Sequence, residues 1–391
     1  MNIPACDILP ILGFFMITIG NGKFINSQFG NLVEYAGIIM LMLACIWPGS
    51  KIKISRIRKF LKVIVLSVLL SIGSFFQDTQ TSTRLMIAGT SLILTCFATV
   101  SDHLISSNRR IKITADAILC GVVFTTVIGL LTDTVGLEFN SKDAIIGVLF
   151  RAGFEVKNYC GGIWFLLLIL YYIYYSREGR ISKVVLPLCV LTVLQVLSGS
   201  KAAILLSVLF LMLANYNRFL PFNKKQKKLI CFVLCVTAFV AGVYIYNNVL
   251  SDISTYAYRM RGLSKLLEHL TADTSRLCFG LSEIAYANNG QSYTTNMRNF
   301  LGWEASVEMA YVNILIKSGM VGIIAWICIY GAFLKQAATL HRRDQELAYA
   351  IISIMLISGL VETYIVSIHY VVGPVLYCLL NGLIKQSQHK T

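Results

Sequence analysis

Long apolar stretches separated by short polar breaks limit this chain more than any other feature. Many approach the ~20 residues that a helix needs to cross the hydrocarbon of a bilayer. Read against those breaks, spans fall near 3–19, 31–48, 63–76, 85–103, 114–133, 160–175, 184–199, 201–216, 229–249, 309–334, 346–364 and 367–384. The expected fold class is therefore an all-α polytopic membrane protein of about twelve transmembrane helices. Residues 1–391 would form a single integral membrane domain, with one large extracytoplasmic loop at 250–308 and a second outer loop at 134–159.

Composition agrees. Hydrophobic residues make up 56% of the 391 positions and charged residues only 14%, where a soluble domain carries about a quarter charged residues. The formal charge of +15 comes from 34 Lys and Arg against 19 Asp and Glu. These cations punctuate apolar segments instead of lining a polar face, which speaks against nucleic-acid binding. The first apolar stretch lacks a basic leader and a small-residue cleavage site, so it reads as a first transmembrane helix and not as a signal peptide.

Placing the N-terminus in the cytoplasm puts most of the basic residues inside. They include Lys51 to Lys62, Arg109 to Lys112, Arg177 to Lys183, Lys224 to Lys228, Arg342, Arg343 and Lys385. Every inner segment is then basic, as the positive-inside rule requires, and both termini are cytoplasmic. The expected location is a membrane that the chain crosses many times. A twelve-span carrier built from two halves would show internal symmetry, and no repeat is visible.

The cations left on the outer side carry more information than these anchors. Leu197-Ser198-Gly199-Ser200-Lys201 joins two spans in a short outer turn, offering hydroxyls, a cation and a helix N-terminus to an anion. In the large loop, Arg259 and Arg261 stand two residues apart with Lys265 and Arg276 beyond, and guanidinium forks match phosphate. Arg151 is a charge in an apolar outer stretch, by default a functional candidate. Glu304 and Glu308 lie four apart, on one face of a helix entering the bilayer, and a carboxylate there suits general-base work on a hydroxyl. Glu362 and His369 are weaker candidates for the same role.

Among the 11 cysteines there is no metal or redox spacing. Cys160 and Cys278 alone lie in segments read as outer, where a disulfide is one option. No acidic pair, phosphate loop or dinucleotide fingerprint appears. An enzyme of this sequence is expected to work without cofactor or metal.

Three of these segments, taken in order, resemble the polysaccharide polymerase and O-antigen ligase superfamily, the Wzy and WaaL proteins. Gly153-Phe154-Glu155-Val156-Lys157-Asn158-Tyr159-Cys160-Gly161-Gly162 is similar to its G-F-x-x-x-N-x-x-G stretch, and Ser198-Gly199-Ser200-Lys201-Ala202-Ala203 to its S-x-S-R-x-A stretch. Glu308-Met309-Ala310-Tyr311-Val312-Asn313-Ile314-Leu315, closing at Gly319-Met320-Val321-Gly322, is similar to its H-N-x-Y-L stretch followed by G-x-x-G. Lys201 stands where the family usually has Arg, and Glu308 where many ligases have His.

The resemblance implies a GT-C-like membrane glycosyltransferase of the Wzy type. It would transfer a growing glycan from polyprenyl pyrophosphate to a lipid-linked repeat unit at the outer face, in O-antigen, lipopolysaccharide, capsule or exopolysaccharide synthesis. Lys201, Arg259, Arg261 and Arg151 would stabilise the leaving pyrophosphate, with Ser198, Ser200 and Arg276 beside them. Glu308 would act as base, and Asn158 and Glu304 would shape the cleft. A flippase and a chain-length regulator are the implied partners. An O-antigen ligase, or a twelve-span transporter or flippase, stays open as an alternative.

Overall fold

The computed structural model describes residues 5–46, 54–77, 79–141, 144–219, 254–287, 289–303, 307 and 309–388. The chain is predominantly helical. In chain order the helices are α1 (Ala5–Gly20), α2 (Ser27–Ile46), α3 (Ile54–Ser71), α4 (Gly73–Phe76), α5 (Thr81–Val100) and α6 (Asn108–Leu131). A small hairpin of β1 (Leu137–Phe139) and β2 (Val148–Phe150) follows. Next come α7 (Lys157–Arg177), α8 (Val185–Leu197), α9 (Lys201–Ala214) and α10 (Tyr216–Phe219). Then come α11 (Ser254–Thr271), α12 (Thr274–Phe279), α13 (Ser282–Ala285), α14 (Tyr293–Leu301), α15 (Ala310–Ala337), α16 (Arg342–Ser358) and α17 (Val372–Gln388).

Among the described residues, five helices are long and apolar enough to cross a membrane: Gln28–Ile46, Thr81–Val100, Asn108–Leu131, Lys157–Arg177 and Ala310–Ala337. Helices α8 and α9 are apolar but short. At ~1.5 Å per residue each reaches only about 20 Å, less than the ~30 Å hydrocarbon. The span expected at 229–249 lies outside the described residues. The segment expected to be helical from 346 to 364 stops at Ser358. Cys160, in α7, and Cys278 are both free cysteines in this structure.

The chain divides into two compact units. The first consists of Met1–Ser67, Gly89–Ala214 and Ile327–Thr391. Its core is α7, whose residues from Tyr159 to Leu170 are buried on every face, together with α17, buried from Val371 to Leu380. A helix that is apolar all round belongs in the middle of a bundle. Helices α1 and α2 pack through paired glycines: a Cβ on Gly13 would meet the Gly37 carbonyl oxygen at 2.9 Å, and one on Gly30 would meet that of Gly20 at 2.6 Å. Small residues let two helix backbones approach this closely.

One end of this unit is stitched by ion pairs. Asp102 accepts from Lys59 at 2.8 Å and lies 3.7 Å from Lys385, while His103 donates from Nε2 to the Ala44 carbonyl at 2.5 Å. Arg110 holds Asp7 at 2.8 Å, and Arg177 holds Asp344 at 2.6 Å and reaches Gln386. Arg343 donates to Ala214 O, Tyr172 Oη and Ser176 Oγ. Segments expected on one side of the membrane are thus gathered at a single end. Burial alone would raise the Asp102 carboxyl, but hydrogen bonds from His103 and Lys59 and the charges of Lys59 and Lys385 outweigh it. The group is held well below the usual carboxylate range.

The second unit comprises Val68–Ala88 and Asn215–Trp326. Its core joins Leu266, Leu270, Leu281, Met297, Leu301, Trp303 and Ile316. Gly319 (φ 57°, ψ −151°) breaks α15, which frees the Ile316 carbonyl to accept from Leu281 N–H at 2.6 Å. Gln77 clamps the same strip of chain: its Oε1 accepts from Ser282 Oγ at 2.6 Å and Glu283 N–H at 3.1 Å.

Candidate functional site

At the end of the first unit opposite the ion-pair network, two loops meet. Lys23 N–H donates to Gly153 O at 2.8 Å, and Gly22 bridges Phe154 in antiparallel fashion. This join requires glycine at 153. Its φ is +84°, and a Cβ there would lie 2.4 Å from the Thr125 carbonyl oxygen. The Gly153-Phe154 pair that opens the first family-like segment is therefore a backbone requirement of this loop.

Between the joined loops lies a cavity of about 400 Å³, lined by Gly20, Asn21, Gly22, Lys23, Ile25, Asn31, Glu34, Glu155, Val156, Tyr159 and Tyr370. Glu34, on α2, is only 4% exposed, and its Oε2 lies 2.8 Å from His369 Nδ1. The His369 ring meets Tyr35 edge-on at 5.4 Å. The end of α1 is tied to the same place, because Asn21 Nδ2 donates to Ile17 O at 3.1 Å and to His369 O at 3.0 Å. Tyr159 packs against Tyr370 at 5.0 Å and against Phe154 at 5.2 Å.

A buried carboxylate costs free energy unless it is paired. Glu34 meets that cost with His369, and the pair sits beside amides and phenols at the edge of a space large enough for a small ligand. Hydroxyl-bearing ligands suit this lining, since carboxylate, amide and aromatic faces bind them without net charge. Lys23 is exposed and has no ion-pair partner among the described residues.

Two residues along α7 from Tyr159, Gly161 meets the serine turn. A Cβ on Gly161 would lie 2.3 Å from Ser200 Cβ and 2.9 Å from Ser198 Oγ. Two of the three family-like segments therefore touch. Both serines are buried and used locally: Ser198 Oγ donates to Gln195 O at 2.7 Å, and Ser200 Oγ accepts from Ala203 N–H at 3.4 Å, capping α9. Lys201 opens α9, exposed and without an ion-pair partner among the described residues.

The remaining predicted residues divide. Arg151 pairs with Glu138 at 2.8 Å within the hairpin region. Asn158 is half-buried, and its carbonyl accepts from Tyr364 Oη at 2.8 Å. In the second unit, Arg276 pairs with Glu283 at 2.9 Å. Lys265 sits 5.2 Å over the Phe300 ring, and Arg261 is exposed on α11. Arg259 belongs to the same helix, but its side chain lies outside the described residues, as do Glu304 and Glu308 altogether. Glu362 is buried at 4% exposure.

Sequence reasoning missed Glu34, Asn21 and Tyr370. A signal for Glu34 existed, because it is the only acid in the apolar stretch 31–48 and an intramembrane acid is a functional candidate by default. No protein-family model matches the chain, and a search of curated proteins finds no match.

Proposed function

We propose that this chain is a membrane glycosyltransferase of the polysaccharide-polymerase kind, with about twelve spans in a GT-C-like arrangement. It would join lipid-linked glycan repeats at the outer face of a bacterial inner membrane. One observation carries the reading: the Glu34–His369 pair at the edge of a cavity lined by Asn21, Asn31, Tyr159 and Tyr370. The resemblance of residues 153–162 to the polymerase and ligase superfamily supports it, since that segment forms a wall of the same cavity.

In this reading an acceptor sugar occupies the cavity with a hydroxyl against Glu34. The hydroxyl oxygen attacks the anomeric carbon of the donor, the bond from that carbon to the pyrophosphate oxygen breaks, and the hydroxyl proton passes to Glu34. His369 orients the carboxylate. The pyrophosphate leaves with its charge stabilised by a fixed cation, a role assigned within this unit to Lys201. Glu34 and Glu155 beside Lys23 make the cavity itself better suited to hydroxyls than to a polyanion, so the two halves of the substrate are assigned to different groups. Glu34 thereby takes the base role that the sequence had offered to Glu308.

The test is a deletion strain complemented with the wild-type chain or with Glu34→Gln, reading surface polysaccharide on gels and lipid-linked intermediates together. Single repeats on the surface, with single repeats accumulating on the carrier lipid, support polymerisation. Full-length polymer that stays on the carrier identifies a ligase instead. An unchanged ladder in the deletion strain overturns both and favours a transporter.

A further inference from the structure

The hairpin that follows α6 leaves large apolar side chains uncovered. Its register pairs Leu137 with Phe150 and Phe139 with Val148, so these four side chains share one face. The other face carries Glu138 and Leu149, and Arg151 continues it. Leu149 is fully buried, and Arg151 holds Glu138 at 2.8 Å. Leu149 and Arg151 thus turn toward protein with Glu138 half-open at the rim, while on the other face Val148 and Phe150 are half-buried and Leu137 and Phe139 are exposed, Phe139 at 71%. An antiparallel ribbon with one face in water makes that face polar, and an exposed flat apolar strand invites aggregation.

The exposed face does not stand alone. Val123, Phe124, Val127, Leu130 and Leu131 form an exposed apolar stripe at helical spacing on α6, one of the helices able to cross a membrane. Leu131, at its end, is 78% exposed, and Ile145 and Ile146 continue the apolar surface around the hairpin tip. The stripe on α6 has lipid as its natural neighbour, and the hairpin extends that surface beyond the helix end.

We propose that the hairpin of Leu137–Phe139 and Val148–Phe150 lies on the bilayer, with Leu137, Phe139, Ile145 and Ile146 seated among the upper acyl chains of the leaflet that α6 exits. Backbone chemistry fixes the depth. A two-stranded ribbon has outer edges with unpaired N–H and C=O groups, which hydrocarbon does not tolerate, so the ribbon lies flat at the level of the headgroups with only its side chains below. This placement rests on register and exposure and is independent of the enzymatic reading.

The experiment uses the full chain carrying Phe139→Trp in lipid nanodiscs, with the wild type subtracting the four native tryptophans. Bromines on the acyl chains near the headgroup are expected to remove most of the added emission. Bromines near the chain ends should remove much less, and iodide in the water should have little effect. Ile146→Trp should behave in the same way and guards against a local failure of the first variant. Quenching by iodide with no response to brominated lipid overturns the proposal. So does protection from both quenchers, which would mean that protein covers the face.

Discussion

The two ends of the first unit treat their charges differently. At one end several cations join elements that are far apart in sequence: Lys59 and Lys385 share Asp102, Arg110 holds Asp7, Arg177 holds Asp344, and Arg343 ties α16 to α7 and α9. At the other end Lys23 and Lys201 stand without ion-pair partners among the described residues, near a cavity whose buried acid is paired with a histidine. Positive charge at the first end, expected from the positive-inside rule, also fastens helix ends to one another. At the second end Arg151 is held by Glu138, whereas Lys23 and Lys201 are open to water.

This contrast is open to attack by substitution. Arg177→Ala should do the most damage to stability, because Arg177 and Asp344 are 10% and 12% exposed and breaking a buried pair from one side costs about 3–5 kcal/mol. Unfolding in detergent measures it, and the double variant with Asp344→Ala should lose less than the sum of the two single ones. Glu34→Gln should slow chain growth by about 10²- to 10⁴-fold, the usual reach of a general base, with the protein still present in the membrane at normal abundance.

Asp102 gives a smaller, pH-dependent effect. Its carboxyl is held down in the folded state, so the folded chain gives up this proton more readily than the unfolded one. The stabilisation is complete above the usual carboxylate range and is lost as pH falls below that range through the depressed folded value. Unfolding midpoints of wild type and Asp102→Asn should therefore differ near neutral pH and converge in strong acid. Lys201→Ala should move stability least, by under about 0.5 kcal/mol as at ordinary exposed positions, yet abolish chain growth. If it destabilises as much as Arg177→Ala, the contrast between the two ends disappears.

Helix positions were largely legible in the sequence because apolar length is a local property. The stretches read at 114–133 and 160–175 appear as α6 and α7, each a few residues longer. The hairpin was not legible, since three-residue strands around a turn leave no period to detect. Nor was the cavity, whose acid and histidine are 335 positions apart. Gly319 was visible as part of a family-like pattern, but its consequence was not, because a helix break depends on which backbone donor, here Leu281 N–H, arrives to use the freed carbonyl. Ser198 and Ser200 were read as ligand groups from their residue type. The fold gives their hydroxyls to the backbone of the turn that they build.

The separation of Glu34 from His369 also bears on biogenesis. Translation inserts α2 long before the segment carrying His369 is made, and through that interval the α1–α2 pair waits with an acid whose partner does not yet exist. The glycine-lined contact between those two helices holds Glu34 in place meanwhile, with its Cγ where a Cβ on Gly20 would come within 2.5 Å. A ribosome that stalls before residue 369 leaves a membrane-inserted fragment in which the acid is unmatched. The histidine thus supplies the acid's partner only after more than three hundred further residues have been made, and the contact that readies the carboxylate joins an early helix to a late loop.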